Sequence, residues 1–303
     1  MRARATGHPL RMSSRPRTAF VLSGGASLGA LQVGMLRALY ERGITADLLV
    51  GTSVGALNAA FVASRPQTPA TARALARVWL GVERGDAFPL SLRAVAGGLA
   101  GRRDHLVPTR GLRQVIERHI ELDDLGSAAT SLHLIAFDIT AGREVALSQG
   151  SACEAVLASC AIPGIFPPVA TGDGLLVDGG VVNNTPISHA VELGAERIYV
   201  LSTREPSCPQ MSPPRTALDA AICGISLLVA SRLESDIDRY GREVELIVLP
   251  APNAGEVQPT DFDHSSELTA TAYSAARGAL AGAHTFRAAP MAAGRARRLA
   301  AVG

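Results

Sequence analysis

Lysine is absent from this chain: all 29 basic residues are arginine, set against 27 acidic ones. The net charge of +2 is too near neutral to argue for a nucleic-acid partner. The arginine-only usage reads as compositional bias rather than function. Aromatic residues are scarce, at 4%, while apolar residues reach 47%, so the core must be built largely from Ala, Leu, Val and Ile. Only 4 cysteines occur. Cys153 and Cys160 fall on one predicted helix, roughly 10 Å apart along its axis, too far to bridge. No disulfide framework is expected, and a reducing compartment fits. No metal-ligand spacing is present, so no metal or cofactor is expected. Long hydrophobic runs are also missing. The longest, Ala220–Ala230, falls short of the roughly 20 residues that span a bilayer. The basic N-terminus, Met1–Arg17, lacks the apolar centre of a secretory signal. These absences point to a soluble, cytoplasmic protein, with transient contact at a membrane surface left open.

What is present is organised around Leu48-Leu49-Val50-Gly51-Thr52-Ser53-Val54-Gly55-Ala56. A short apolar run enters Gly-x-Ser-x-Gly, and an Ala-rich helical pattern follows. That order predicts strand, sharp turn and helix, with Ser53 at the apex. Gly51 and Gly55 carry no Cβ, so the turn can be tight and the helix can pass close to the strand. A serine held there is exposed at the end of a sheet, as a nucleophile requires; a small helix-capping residue is the plainer alternative. An earlier unit repeats the pattern. The strand Thr18–Leu22 runs into Ser23-Gly24-Gly25-Ala26-Ser27-Leu28-Gly29 and then a helix. Free backbone N–H groups at such a turn suit a phosphate or an oxyanion. Dinucleotide binding is the rival reading, but Ala26 stands where that fingerprint needs its third glycine, and no acidic residue ends the second strand.

Further along, Ala70–Val82 is a predicted helix with Trp79 turned inward. Residues 85–107 suit either a mobile flap or a surface connection. Gly111–Ile120 predicts a helix with Leu112, Val115, Ile116 and Ile120 on one face. Ser131–Asp138 and Glu144–Leu147 read as an antiparallel edge hairpin, and Ser151–Ala161 as a helix. Ile162–Val169, with three prolines, reads as a stiff apolar loop. The strand Gly174–Asp178 then delivers an aspartate, with Gly179 and Gly180 clearing space beside it. At a strand's carboxyl end that carboxylate would share a crevice with Ser53; an Asp-Gly turn is the plainer alternative. Pro186 opens another helix. A strand at Arg197–Leu201, a proline-rich loop at Glu205–Arg215, a long helix at Ala217–Tyr240, a strand at Val244–Leu249 and a last helix from Asp261 to about Gly282 complete the chain. Strands alternating with helices predict one doubly wound α/β sheet. His119 reads as a surface residue and His133 as a packed one. A Ser-His-Asp triad would have to use His264, at a helix start, since His189 lies within a helix.

Four segments together resemble the patatin-like phospholipase family: Leu22–Ala30, Gly51–Ala56, Ala158–Val169 and Asp178-Gly179-Gly180. The similarity runs from Phe20 to about Ala276. It implies a three-layer α/β/α fold with a mostly parallel sheet, formed by residues 18–284 between a flexible arm (1–17) and a flexible tail (285–303). It also implies a lipid acyl hydrolase without metal or cofactor, acting on a phospholipid, lysophospholipid or neutral acyl ester. In that resemblance Ser53 is the nucleophile and Asp178 its base. Gly24, Gly25 and Ala26 form the oxyanion hole, and Gly29, Gly51, Gly55, Gly179 and Gly180 are motif glycines. An unperturbed aspartate, with a pKa near 3.9, is a weak base, so modest turnover is expected. Two departures stand out: Ala26 occupies a usual glycine position, and Leu28 a usual Arg or Lys position. A relative that only binds lipid or regulates is the competing reading.

Overall fold

The computed structural model describes residues 15–82, 85, 105–172, 174–205, 217–252, 257 and 261–281. The tail at 285–303, most of the flap segment and most of the proline-rich loop lie outside the described residues. The strands are β1 (Thr18–Leu22), β2 (Leu48–Thr52), β3 (Ser131–Asp138), β4 (Arg143–Leu147), β5 (Val169–Thr171), β6 (Gly174–Asp178), β7 (Arg197–Leu201) and β8 (Glu245–Val248). The helices are α1 (Ala30–Glu41), α2 (Val54–Ala63), α3 (Pro69–Gly81), α4 (Arg110–His119), α5 (Ala152–Ser159), α6 (Ile187–Glu192), α7 (Ala217–Tyr240) and α8 (Ser265–Ala281).

All the strands join one sheet in the order β5-β6-β3-β2-β1-β7-β8, with β4 on the far edge of β3. The central pairs, from β3 across to β8, are parallel, and β4, β5 and β6 are antiparallel additions. Helices cover both faces, as the α/β/α expectation requires. In β1, Phe20 and Leu22 enter the core under α1, α2, α3, α5 and α8, while Ala19 and Val21 enter the core under α6 and α7. Burial on both faces is why these strands are continuous apolar runs rather than alternating ones.

Several expectations change in the structure. Residues 15–17, assigned above to a flexible arm, are tethered. Arg15 pairs with Asp47, and the Arg17 guanidinium donates to the Leu193 carbonyl at 2.7 Å. The stiff loop after α5 does not end loosely: Val169–Thr171 forms β5 and pairs with β6. In the expected β3–β4 hairpin only β4 is an edge strand. Trp79 is buried, as its helical spacing predicts.

A buried amide network locks the turn after β1 to the helices below it. The Gln32 side chain donates to the Ser23 carbonyl at 2.7 Å and the Leu201 carbonyl at 3.1 Å. Its own oxygen accepts from Asn58 at 2.8 Å. Asn58 also donates to the Gly29 carbonyl at 3.1 Å and accepts from Trp79 Nε1 at 3.0 Å. Both donors on each amide nitrogen are thus used, which is what a fully buried Asn and Gln require. Asn58→Leu leaves the Trp79 N–H, the Gly29 carbonyl and Gln32 short of partners. It should destabilise the fold by at least about 2 kcal/mol, read as a lower midpoint in urea unfolding with an unchanged slope.

Candidate active site

The strand β3 measures out the site. Its Ile135 pairs with Thr52, the last residue of β2, and its next residue, Ala136, pairs with Asp178, the last residue of β6. Because β4 occupies the other edge of β3, β2 and β6 share one edge and meet end to end. Ser53, which follows Thr52, is therefore delivered beside Asp178.

The turn at Ser53 is strained, with φ 55° and ψ −126°, a conformation costing about 1–3 kcal/mol. Close backbone approach imposes it. A Cβ on Gly55 would stand 2.2 Å from the Leu22 carbonyl oxygen, and one on Gly51 would stand 2.5 Å from the Gly55 carbonyl oxygen. The Ser53 side chain lies close enough to Asp178 to pull its pKa down, and the Gly180 N–H donates to Asp178 Oδ1 at 2.7 Å. Burial dominates the carboxyl, which is 5% exposed, and pushes its pKa up to about 6 against the pull of those two groups.

Three consecutive residues at the end of α5 hold both partners. Ser159 Oγ accepts the Ser53 N–H at 2.9 Å and donates to the Ile135 carbonyl at 2.6 Å. The Cys160 thiol lies beside the Ser53 side chain, and burial drives its pKa well up. The Ala161 carbonyl accepts the Asp178 N–H at 2.9 Å. Sequence reasoning gave none of these a role. The available signal was a serine closing a helix whose other residues, bar Glu154, are Ala, Cys, Val and Leu.

At the first glycine turn, the Gly24 N–H points inward and donates to the Asn184 carbonyl at 3.0 Å. The expectation of three anion-binding amides is thus narrowed to Gly25 and Ala26. Thr203 Oγ1 braces the turn from behind, donating to the Gly24 carbonyl at 2.6 Å. Ala26 takes φ 49°, the left-handed conformation that costs a non-glycine residue about 1–2 kcal/mol. Leu28 is turned into the core, so no charge stands at that position. Gly29 lies against Val54 and Trp79. Gly179 backs onto the Ile135 carbonyl, where a Cβ would stand at 2.6 Å.

Ser53 and Ala26 open into an apolar cavity walled by Val54, Leu57, Trp79, Leu112, Phe166 and Phe262, among others. The Trp79 and Phe262 rings stack at 6.0 Å. The histidines are engaged elsewhere. His264 pairs with Asp261 at 3.1 Å and His189 with Glu144 at 2.8 Å, so among the described residues neither joins Ser53 in a Ser-His-Asp triad. Burial lowers the pKa of His133, and His119 is half-buried at the surface. Among the described residues no group of three or more His, Cys, Asp or Glu could hold a metal.

A family model described as patatin-like phospholipase matches residues 20–191. An NTE family protein of Mycobacterium bovis is 31% identical over 172 residues, covering 55% of this chain and 27% of that protein. Patatin-like phospholipase domain-containing protein 7 of Mus musculus is 30% identical over 193 residues, 63% of this chain and 14% of that one. Lysophospholipase NTE1 of Mycosarcoma maydis is 28% identical over 225 residues, 66% of this chain and 11% of that one. The chain thus spans 27% or less of the length of these relatives. Among solved structures, VipD from Legionella pneumophila is similar over 89% of this chain and 67% of that one, with a TM-score of 0.46 and 14% identity.

Two stability predictions follow from this geometry. Ser159→Ala orphans the Ser53 N–H and the Ile135 carbonyl and should cost about 1–3 kcal/mol, measured by denaturant unfolding. For Asp178, the folded-state pKa of about 6 lies above the ordinary 3.8. Its stabilising contribution is therefore complete below about pH 4 and lost as pH rises through 6. Asp178→Asn, always neutral, should raise thermal stability at pH 7.5 by up to about 3 kcal/mol, and this gain should vanish near pH 4.

Proposed function

We propose, for a chain that belongs to the patatin-like phospholipase family, that it hydrolyses carboxylic esters of lipids through Ser53 and Asp178. The observation that carries this reading is the placement of Ser53, at the mouth of an apolar cavity, beside a buried carboxyl whose pKa is raised to about 6. A base is most effective with its pKa near the working pH. At neutral pH this carboxyl is largely ionised yet far more basic than an exposed aspartate.

In the proposed reaction the acyl chain lies along the apolar wall. Ser53 Oγ attacks the ester carbonyl carbon while its proton passes to Asp178. The carbonyl oxygen becomes an oxyanion that the Gly25 and Ala26 N–H groups receive. Collapse of the tetrahedral intermediate breaks the ester C–O bond, and Asp178 returns the proton to the departing alcohol. An acyl-serine ester remains. Asp178 then takes a proton from water as it attacks the same carbon. The second collapse releases the carboxylic acid and restores Ser53. Each amide donor to the oxyanion contributes about 3–4 kcal/mol to such a barrier. The left-handed Ala26 keeps its N–H, so its substitution for glycine carries a conformational cost without removing a donor. The Gly24 amide, bonded inward, supports the turn rather than the oxyanion. Retention of both Ser53 and Asp178, carried on neighbouring strand ends, favours hydrolysis over a role in lipid binding alone.

Hydrolysis of p-nitrophenyl esters of graded chain length tests the reading. Wild type should show kcat/KM rising with pH through about 6 to a plateau. Ser53→Ala should lose about ten-thousand-fold or more, and Asp178→Asn about a hundred- to ten-thousand-fold. A fluorophosphonate probe should label wild type and not Ser53→Ala. Equal rates for the three proteins would end the proposal.

A further inference from the structure

The large apolar side chains most exposed to solvent among the described residues are Leu80, Ile139, Val181, Leu227 and Leu228. The topology gathers all of them at one end of the molecule. Leu80 follows Trp79 at the close of α3, next to the cavity wall. Ile139 is the first residue past β3, and Val181 ends the 3₁₀ turn that begins just after Asp178. The two leucines lie on α7, which runs antiparallel to β7 and β8. Tyr240, its last residue, stands near the start of β8, whose Glu245 pairs with Arg197 at the start of β7.

The lengths do not match. The 24 residues of α7 span about 36 Å, and the 5 residues of β7 span about 16 Å. Counting back from Tyr240, α7 passes the carboxyl ends of the strands near Ala230. Burial changes at the same place. Leu233, Asp236 and Tyr240 pack onto the sheet, whereas Leu227 and Leu228 are 47% and 72% exposed. From Ala217 to Ala230 the helix carries a single charged residue, Asp219, in its first turn. The overhang therefore projects past the end of the sheet at which Ser53 and Asp178 stand. Two exposed cations share that end, Arg143, opposite Asp138, and Arg204, which follows the Thr203 that braces the Gly24 turn, together with one exposed acid, Glu205.

We propose that this end docks on a lipid surface, with the overhang of α7 entering the interface beside the active-site mouth. The lipid identity of the occupant rests on the function proposed above. The placement rests on the apolar rim itself: scattered exposed leucines need no explanation, but a patch confined to one end marks an interaction site. A largely apolar helix stretch, whose one charged residue before Ser231 is Asp219, at an end that also carries Arg143 and Arg204, suits the boundary of a bilayer, where headgroups attract the cations and acyl chains accept the leucines. Docking there would bring Ser53 to its substrate without the lipid crossing water.

The experiment sediments the full chain with vesicles of equal parts phosphatidylcholine and phosphatidylglycerol. A Leu227→Glu/Leu228→Glu double variant is compared with wild type, and folding of both is checked by thermal melting. Wild type should bind, and the variant should bind roughly tenfold more weakly or worse. Both should hydrolyse a water-soluble p-nitrophenyl ester equally, and only wild type should release fatty acid efficiently from the vesicles. Equal vesicle binding by the two proteins overturns the docking proposal. So does a wild-type dimer, seen by light scattering, that the variant converts to a monomer without either form binding vesicles. Failure of wild type on the soluble ester strikes the proposed hydrolysis instead, and the sedimentation result still decides the docking.

Discussion

The site depends on how closely α2 comes down on β1 and β2. Gly55 lies against the Leu22 carbonyl and Gly51 against the carbonyl of Gly55, with no room for a side-chain carbon at either contact. That approach forces the chain at Ser53 into a left-handed conformation. The serine is small, yet the strain is not free, and the rest of the site can be read as what holds it. Ser159 ties the Ser53 amide to the Ile135 carbonyl. The same segment ties Asp178 through the Ala161 carbonyl. One short stretch at the end of α5 therefore fixes the distance between hydroxyl and carboxylate, because both are bonded to adjoining residues of it.

The register of β3 explains why the two loops meet at all. A strand has two edges, and β4 fills one. On the other, β2 pairs with the first part of β3 and β6 with the last part. The end of a parallel strand and the end of an antiparallel one are thus laid head to head, and the functional groups sit at the seam. The antiparallel addition to an otherwise parallel sheet brings a carboxylate from a distant part of the chain to the Ser53 turn.

Much of this architecture is legible in the sequence, and the reason is burial. β1, β2 and β7 are covered on both faces, so each is an unbroken apolar run. The α3 and α4 helices announce themselves by Trp79, Leu112, Val115 and Ile116 at helical spacing. Ser53 is legible because only glycines tolerate the contacts on either side of it. What the sequence hides is long-range pairing. Nothing local says that Ile135 and Ala136 stand opposite Thr52 and Asp178, that the Gly24 amide turns toward Asn184, or that Ser159 supports a residue in another loop. Nor does composition reveal β5, whose three residues are strand only because β6 offers them an edge, or the tether at Arg17, whose partner Leu193 is remote in sequence.

The apolar surroundings of Asp178 link the electrostatics to the shape of the molecule. An aspartate without a histidine must become more basic, and here burial supplies the change. The Cys160 beside Ser53 and the Phe166 and Phe262 of the adjoining cavity are apolar walls that keep water from the site, and they are also the surface an acyl chain would touch. The mouth of that cavity lies at the end of the sheet where the largest exposed apolar side chains are gathered.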